Sequence, residues 1–316
     1  MKFLYLFLLT IPGFCAHAQK VEKFYDYHWH ETDPHIACFY SVGEQTDSGW
    51  HRKDYYIHAS SLQMDGYFTD STCKTQTGKF SYYYANKRLE RRGRYQNGRK
   101  EGLWESFYSN GMMQDSTVYA GGKPVGVSLG WYRNGFPADS ANWNADGSGL
   151  KVSWFENGNP ASAGRYAEGF KQHGKWQYFH NNGKISTTEL YDHGVLKDKN
   201  YFDEQGVPVS DTTDKSKAAA FPGGQAAWVK YISNAIYFPP GYKIVNGEEI
   251  VVEVSATIDE QGNVKDVEVI LPFQADFDKI ALAGVKKSPK WIPAQNHNRN
   301  VSQEIRQPIV FHNAAD

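Results

Sequence analysis

Adjacent pairs of aromatic residues recur through the middle of the chain every 23 or 24 residues. A glycine turn follows all but the first pair, usually as Asn-Gly, and a second glycine turn falls midway to the next pair. Asn-Gly accepts positive φ at both central positions, so it favours the type I′ turn of β-hairpins. The pattern therefore predicts an antiparallel meander of about six hairpin repeats. The pairs are Tyr83-Tyr84, Phe107-Tyr108, Trp131-Tyr132, Trp154-Phe155, Tyr178-Phe179 and Tyr201-Phe202.

Single hairpins of this kind are marginal in water and become stable when they stack side by side. The two rings of each pair point to opposite faces of a strand. We expect these rings to pack against each other across strands, and prefer this structural role to a ligand groove. The repeat sheet is predicted over residues 50–206, preceded by a β segment at residues 19–49.

The pattern changes after a polar linker at residues 207–219. Apolar residues then recur with helical spacing in some segments and with a period of two in others. Their order predicts helix, strand, strand, helix, strand. The predicted elements are a helix at 225–236, strands at 249–258 and 264–271, a helix at 275–287 and a strand at 302–311. The fold class is therefore mainly β, with a small α+β domain (α-β-β-α-β) at residues 220–316.

Composition adds little to this picture beyond excluding some functions. Aromatic residues make up 15% of the chain, which the repeat explains, and the net charge of −1 argues against a nucleic-acid partner. We expect no enzyme activity, no cofactor and no metal, because no catalytic or phosphate-binding motif is present. The nearest approach to a metal site is His28, His30, Glu31 and His35, where a clear third ligand is lacking.

The first eighteen residues have the form of a signal peptide. Lys2 precedes an apolar run at 3–11, and Ala16-His17-Ala18 resembles a peptidase site. Because that run is too short to span a bilayer, we expect a periplasmic chain that begins near Gln19, with no transmembrane segment after cleavage. The alternative is an uncleaved anchor. Export leaves two possibilities for Cys38 and Cys73, a disulfide or two buried thiols.

Both parts of the chain resemble known families. The repeats at residues 78–206, and more weakly 50–77, resemble a variant of the MORN repeat. Residues 220–312 look like the C-terminal domain of TonB-family energy transducers, although Asn298-Arg299 stands where that family often has Asn-Gly. The matching segments are Phe221-Pro222-Gly223-Gly224, residues 258–267, Phe277-Asp278-Lys279-Ile280-Ala281, residues 289–294 and Pro308-Ile309-Val310-Phe311.

The TonB resemblance implies binding by strand addition, in which a sheet edge accepts a peptide of an outer-membrane transporter. The expected partner is such a peptide or another envelope protein. The expected edge is the last strand, and dimerisation through exposed edges is an open alternative. The predicted partner-binding residues are Val301, Gln303, Ile305, Gln307 and Ile309.

Three hypotheses of function follow. The first is an exported binding or scaffold protein of the cell envelope whose C-terminal domain docks a partner by strand addition. The second is an energy transducer for outer-membrane transport, which requires a membrane anchor. The third is a carbohydrate-binding protein that uses the aromatic faces of the repeat sheet.

Overall fold

Sixteen strands form the first and larger part of the molecule. A computed structural model describes residues 20–242 and 249–312, so the predicted signal peptide at residues 1–18 lies outside the described residues. The strands are β1 Lys20–Tyr25, β2 Phe39–Thr46, β3 Gly49–Tyr56, β4 Ser61–Phe68, β5 Gln76–Tyr83, β6 Leu89–Gln96, β7 Arg99–Phe107, β8 Met113–Ala120, β9 Lys123–Trp131, β10 Pro137–Trp143, β11 Gly149–Trp154, β12 Pro160–Ala167, β13 Lys171–Phe179, β14 Ile185–Asp192, β15 Val195–Phe202 and β16 Pro208–Val209.

Every strand in this part pairs with its neighbours in sequence, in the order β1 to β16. The predicted antiparallel meander is confirmed, and the sheet is longer than the repeat pattern indicates. β1 and β2 lie in the segment at 19–49 and join the same sheet, with Lys20 opposite Glu44. β16 lies in the predicted linker and pairs with the end of β15, where Pro208 is opposite Phe202.

Two kinds of turn occur along the meander. In the turn from Tyr108 to Gly111 the Gly111 N–H donates to the Tyr108 carbonyl at 2.8 Å, and of Asn110 and Gly111 only Gly111, the last residue of the turn, has positive φ. This is a type I turn followed by a G1 bulge, so the predicted type I′ turn is wrong here. The Asn110 side chain explains the choice, because its Oδ1 accepts the Met112 N–H at 3.0 Å. Type I′ geometry occurs instead in most of the second set of turns, as at Asn97-Gly98, whereas the turn at Asp146-Gly147 has positive φ at the glycine alone and repeats the type I pattern.

Side chains from each repeat donate hydrogen bonds to the backbone of the next repeat. The hydroxyl of Tyr108 donates to the Trp131 carbonyl at 2.8 Å, and Tyr132 donates to the Trp154 carbonyl at 2.7 Å. The Asn110 amide adds a bond of 3.0 Å to the Arg133 carbonyl. The second ring of the aromatic pair and the turn asparagine therefore stabilise the stacking of repeats.

Large rings on one face of the meander lie directly over glycines of the neighbouring strand. A Cβ atom at Gly164 would come within 2.0 Å of the Trp176 ring, so the ring occupies space that only glycine leaves free. The Trp176 indole N–H then reaches the Arg165 carbonyl at 2.9 Å. The ring–glycine pairs are Phe80 over Gly66, Trp104 over Gly93 and Trp176 over Gly164.

The C-terminal domain is a three-stranded sheet covered by two helices. Its elements are α1 Gly224–Ala235, β17 Ile250–Ile258, β18 Val264–Leu271, α2 Ala275–Lys286, β19 Ala294–Asn296, β20 Arg299–Val301 and β21 Gln303–Phe311. The predicted α-β-β-α-β order is confirmed, with a short β19–β20 hairpin added. The sheet order is β18-β17-β21. The core between sheet and helices includes Val252, Val254, Phe277 and Ile309.

Candidate functional site at the β21 edge and the domain interface

Strand β21 forms one edge of the C-terminal sheet. It pairs with β17 at nine positions, from Gln303 opposite Ile258 to Phe311 opposite Ile250. Among residues 20–242 and 249–312, no strand pairs with its other side. In an antiparallel pair, alternate residues direct their N–H and C=O groups away from the partner. These groups of β21 give the edge the geometry that accepts an added strand.

The predicted binding residues are divided between two elements. Gln303, Ile305, Gln307 and Ile309 lie on β21, whereas Val301 is the last residue of β20. Ile305 and Ile309 are buried in the core against the helices. Their side chains are therefore occupied by the fold, and only their backbone groups are available to a partner.

The alternate residues of β21 carry the exposed side chains. Arg306 is 65% exposed and forms an ion pair of 3.2 Å with Glu304. Pro308 has no N–H to offer an added strand. Glu304 and Arg306 are therefore the exposed side chains beside this edge, and neither is among the residues predicted from the sequence. The period of two in the sequence could have identified these two residues. Apolar residues at 305, 309 and 311 mark the buried face, so residues 304 and 306 lie on the opposite face.

The C-terminal sheet is bound to the repeat sheet through an ion pair from β18. Arg133, which follows β9, donates through Nη2 to Oε1 of Glu268 at 2.7 Å. The hydroxyl of Ser109 donates to the other carboxylate oxygen. Both partners of the ion pair are largely buried. Arg133 and Ser109 thus hold the carboxylate of Glu268 from two neighbouring repeat turns.

The β19–β20 hairpin makes a second, larger contact with the repeat sheet. Its turn residues His297 and Asn298 both have positive φ, which is type I′ geometry. The His297 ring stacks on the ring of Tyr178, and its Nδ1 lies 3.1 Å from the Glu189 carboxylate. The His297 carbonyl accepts the Thr187 hydroxyl at 2.6 Å. The hairpin tip is thus fixed to strands β13 and β14.

Arg299 anchors the same hairpin without a carboxylate partner. Its Nη1 donates to the carbonyl oxygens of Ala161 and Phe179, and its guanidinium lies 5.1 Å from the centre of the Phe155 ring. Burial lowers the pKa of this guanidinium to about 10, although Tyr178 acts in the opposite direction. The residue that departs from the family pattern therefore binds the repeat backbone, as does its neighbour Asn298, whose amide donates to the Phe202 carbonyl at 3.0 Å.

Glu189 provides the acidic side of the hairpin contact. Burial acts to raise the pKa of its carboxyl, but hydrogen bonds from His297 and Tyr191 outweigh that effect. The pKa therefore lies below its ordinary value. Glu189 is one of the few buried carboxylates of the repeat sheet, and the docked hairpin helps to stabilise its charged form.

A cavity of about 390 Å³ separates the two sheets beside these contacts. The cross-strand row that runs from Tyr82 to Tyr178 contributes Asp139 and Ser153 to its lining. The lining is mainly polar and includes Asp139, Trp154, Glu156, Ser255, Thr257 and Glu304.

The carboxylates of this cavity exceed its available positive charge. Arg133 and Arg299 also line it but are engaged with Glu268 and with backbone carbonyls. Burial raises the pKa of Glu156, and the nearby Asp266 acts in the same direction. The cavity is thus an acidic gap in the interface between the two sheets.

The remaining sequence candidates do not form a site. Cys38 and Cys73 are both unbonded thiols, so the disulfide alternative does not hold, and both side chains are half-buried rather than buried. Burial raises the pKa of Cys38 to about 11. In the histidine segment near the N-terminus, Glu31 pairs with Lys23 at 2.6 Å. The His28 and His30 rings lie 5.9 Å apart.

Sheet topology and interface define a repeat-sheet protein that carries a small α+β domain with an open strand edge. Comparison with protein families agrees with this division of the chain. Residues 240–312 match the family model described as the Gram-negative bacterial TonB protein C-terminal, and residues 100–120 and 172–193 match the MORN repeat variant. Both resemblances stated from the sequence are confirmed. A search of curated proteins finds no match.

The family match supports a role at the envelope of a Gram-negative bacterium. Within residues 20–242 and 249–312, neither helix has the length and apolar character that a membrane crossing requires.

Proposed function

We propose that the chain is an exported, non-enzymatic binding or scaffold protein of the cell envelope, located in the periplasm. In this proposal the C-terminal domain docks a peptide segment of an envelope protein or an outer-membrane transporter by adding it as a strand to β21. The observation that carries the proposal is the open edge of β21 in a domain that matches the TonB C-terminal family. Main-chain hydrogen bonds supply affinity in this mode of binding, and Glu304 and Arg306 supply selectivity.

The meander supports this function as a scaffold. Its anchor Arg133, together with Arg299 of the C-terminal domain, holds that domain against one face of the meander. The β21 edge is then presented in a fixed orientation, which reduces the entropy lost when a peptide binds.

Site-specific photo-crosslinking tests the proposed edge. A crosslinking residue is placed at Arg306, beside the edge, and in a matched variant at Lys230, an exposed position on helix α1. Cells are irradiated, and crosslinked proteins are identified by mass spectrometry. We expect an envelope protein or transporter to be captured at position 306 and not at 230. Equal capture at both positions, or none at 306, would refute strand addition at this edge.

N-terminal sequencing of the protein from a periplasmic fraction tests export. A mature terminus near Gln19 supports it. A full-length chain in the inner membrane would instead favour the anchored energy transducer.

A further inference from the structure

Three metal-ligating side chains come together at one end of the repeat sheet. His173 lies on β13, Asp192 is the last residue of β14, and His193 is in the turn that follows. One ligand atom from each lies within 4.8 Å of the other two. We propose that this group, the His173 site, binds a divalent transition-metal ion, with Zn²⁺ as the representative ion.

The distances within the His173 site are close to those of a coordinated ion. Oδ1 of Asp192 lies 2.7 Å from Nδ1 of His193 and 3.9 Å from Nδ1 of His173. Zinc–ligand bonds of about 2.0–2.2 Å place the ligand atoms of a tetrahedral ion roughly 3.3 Å apart. The two observed separations lie on either side of that value, so small side-chain rotations suffice.

The backbone at His193 shows that this residue is not the simplest choice for its turn. His193 has a positive φ of 47°, and the equivalent turns elsewhere use Asn97-Gly98 and Gly121-Gly122. Glycine adopts this conformation without a steric cost, whereas histidine adopts it at a modest one. The turn therefore accepts a modest conformational cost in order to present an imidazole beside His173.

In an earlier repeat, Glu101 occupies the position equivalent to His173, and no imidazole is present in the turn beside it. There Glu101 accepts the N–H of Gly121 through Oε2 at 2.8 Å, which satisfies a turn donor. His173 occupies the equivalent position, but the His193 N–H lies 3.4 Å from its Nδ1. This longer bond shows that the Nδ1 lone pair faces the turn and is only weakly engaged.

The donor set identifies the class of ion. Two imidazole nitrogens and one carboxylate oxygen suit Zn²⁺, Cu²⁺ or Ni²⁺, whereas Mg²⁺ and Ca²⁺ prefer oxygen ligands alone. All three side chains are about half exposed. The remaining coordination positions therefore face solvent and would be filled by water.

Calorimetric titration of the full chain with Zn²⁺, after removal of any affinity tag, tests the His173 site. The variants are His173→Gln, which keeps a group that accepts the turn N–H, and His193→Asn, which suits the positive φ. We expect each to weaken binding by more than about 10-fold, because even outer-shell changes at metal sites have effects of 10–100-fold. Cobalt absorption spectra of the wild type should report nitrogen ligands and should lose that signature in both variants.

Two control variants make the result specific. His51→Ala removes an imidazole that pairs with Asp65 at 2.6 Å and has no second histidine beside it among the described contacts. A double change of His28 and His30 to Ala removes the cluster suggested by the sequence. Both should bind Zn²⁺ as the wild type does. Absence of wild-type binding, unchanged binding in the His173 and His193 variants, or loss of binding in the His28 and His30 variant would overturn the proposal. Denaturation midpoints without metal confirm that each variant is folded.

Discussion

The imidazole of His297 lies face to face with the phenol ring of Tyr178, with ring centroids 3.5 Å apart and planes 9° from parallel. One ring belongs to the β19–β20 hairpin of the C-terminal domain and the other to strand β13 of the repeat sheet. Together with the ion pair between Arg133 and Glu268, this stack makes the C-terminal sheet the middle layer between its helices and the meander.

Arg299→Ala should weaken this docking. The substitution removes charge-assisted hydrogen bonds to the Ala161 and Phe179 carbonyls, which leaves two half-buried acceptors without a donor. We expect a loss of about 2 kcal/mol in the free energy of unfolding, together with faster amide exchange in β12 and β13. Urea denaturation and hydrogen exchange measure the two effects.

Arg92→Ala is the matched control for that variant. Arg92 pairs with Glu105 at 2.7 Å on an exposed strand face. Its removal should change the free energy of unfolding by less than about 1 kcal/mol. Equal destabilisation by the two variants would mean that Arg299 does not hold the domains together.

Glu189 should make the stability of the folded chain sensitive to acid. Its folded pKa is lower than the ordinary 4.5, so the unfolded chain binds the proton more readily. The stabilisation is therefore present above the unfolded pKa and is lost as the pH falls through the folded pKa. We expect Glu189→Gln to lower the unfolding temperature near neutral pH and to approach the wild type as the pH falls below the folded pKa of Glu189. Thermal melts across this range provide the test, and two parallel curves would contradict it.

The local patterns predict the C-terminal elements closely. Strand β18 has the predicted bounds, α1 is shifted by one residue at each end, and α2 and β21 differ from prediction by one residue at one end. These elements alternate buried and exposed side chains with a clear period, so the sequence itself carries the information. The turn type at Asn110-Gly111 was predicted wrongly because the hydrogen bond from the Met112 N–H to the asparagine side chain decides it.

The docking of the two domains has no comparable local signal. His297 and Glu189 are far apart in sequence, and neither belongs to a repeating pattern. The one hint was Arg299, a bulky cation at a position where related domains often have glycine. For the β21 edge, the pattern predicts the strand itself, and two of the predicted residues, Ile305 and Ile309, direct their side chains into the core, so only their backbone groups remain available to a partner.

Gly164→Ala should destabilise the repeat sheet. The new methyl group would come within 2.0 Å of the Trp176 ring, which is itself buried. Overpacking of this kind costs about 1–3 kcal/mol. Gly43→Ala is the control, because a Cβ atom there would meet the Trp50 ring at an ordinary 3.6 Å. Urea denaturation should show a lower midpoint for Gly164→Ala and little change for Gly43→Ala. A neutral Gly164→Ala variant would show that the ring moves aside freely.

Tyr132→Phe should test whether the tyrosine hydroxyls that donate to the next repeat stabilise the stacking of repeats. The change removes only the hydroxyl that donates to the Trp154 carbonyl at 2.7 Å and keeps the ring. Burial raises the pKa of Tyr132 to about 12, so the hydroxyl remains a donor throughout the neutral range. We expect a loss of about 1 kcal/mol in urea denaturation, and faster exchange of the amides around the next turn, at Asn157-Gly158. An unchanged midpoint would mean that water replaces the hydroxyl at no cost. The hydrogen bonds from tyrosine hydroxyls to the next repeat would then be a consequence of ring packing and not a source of stability.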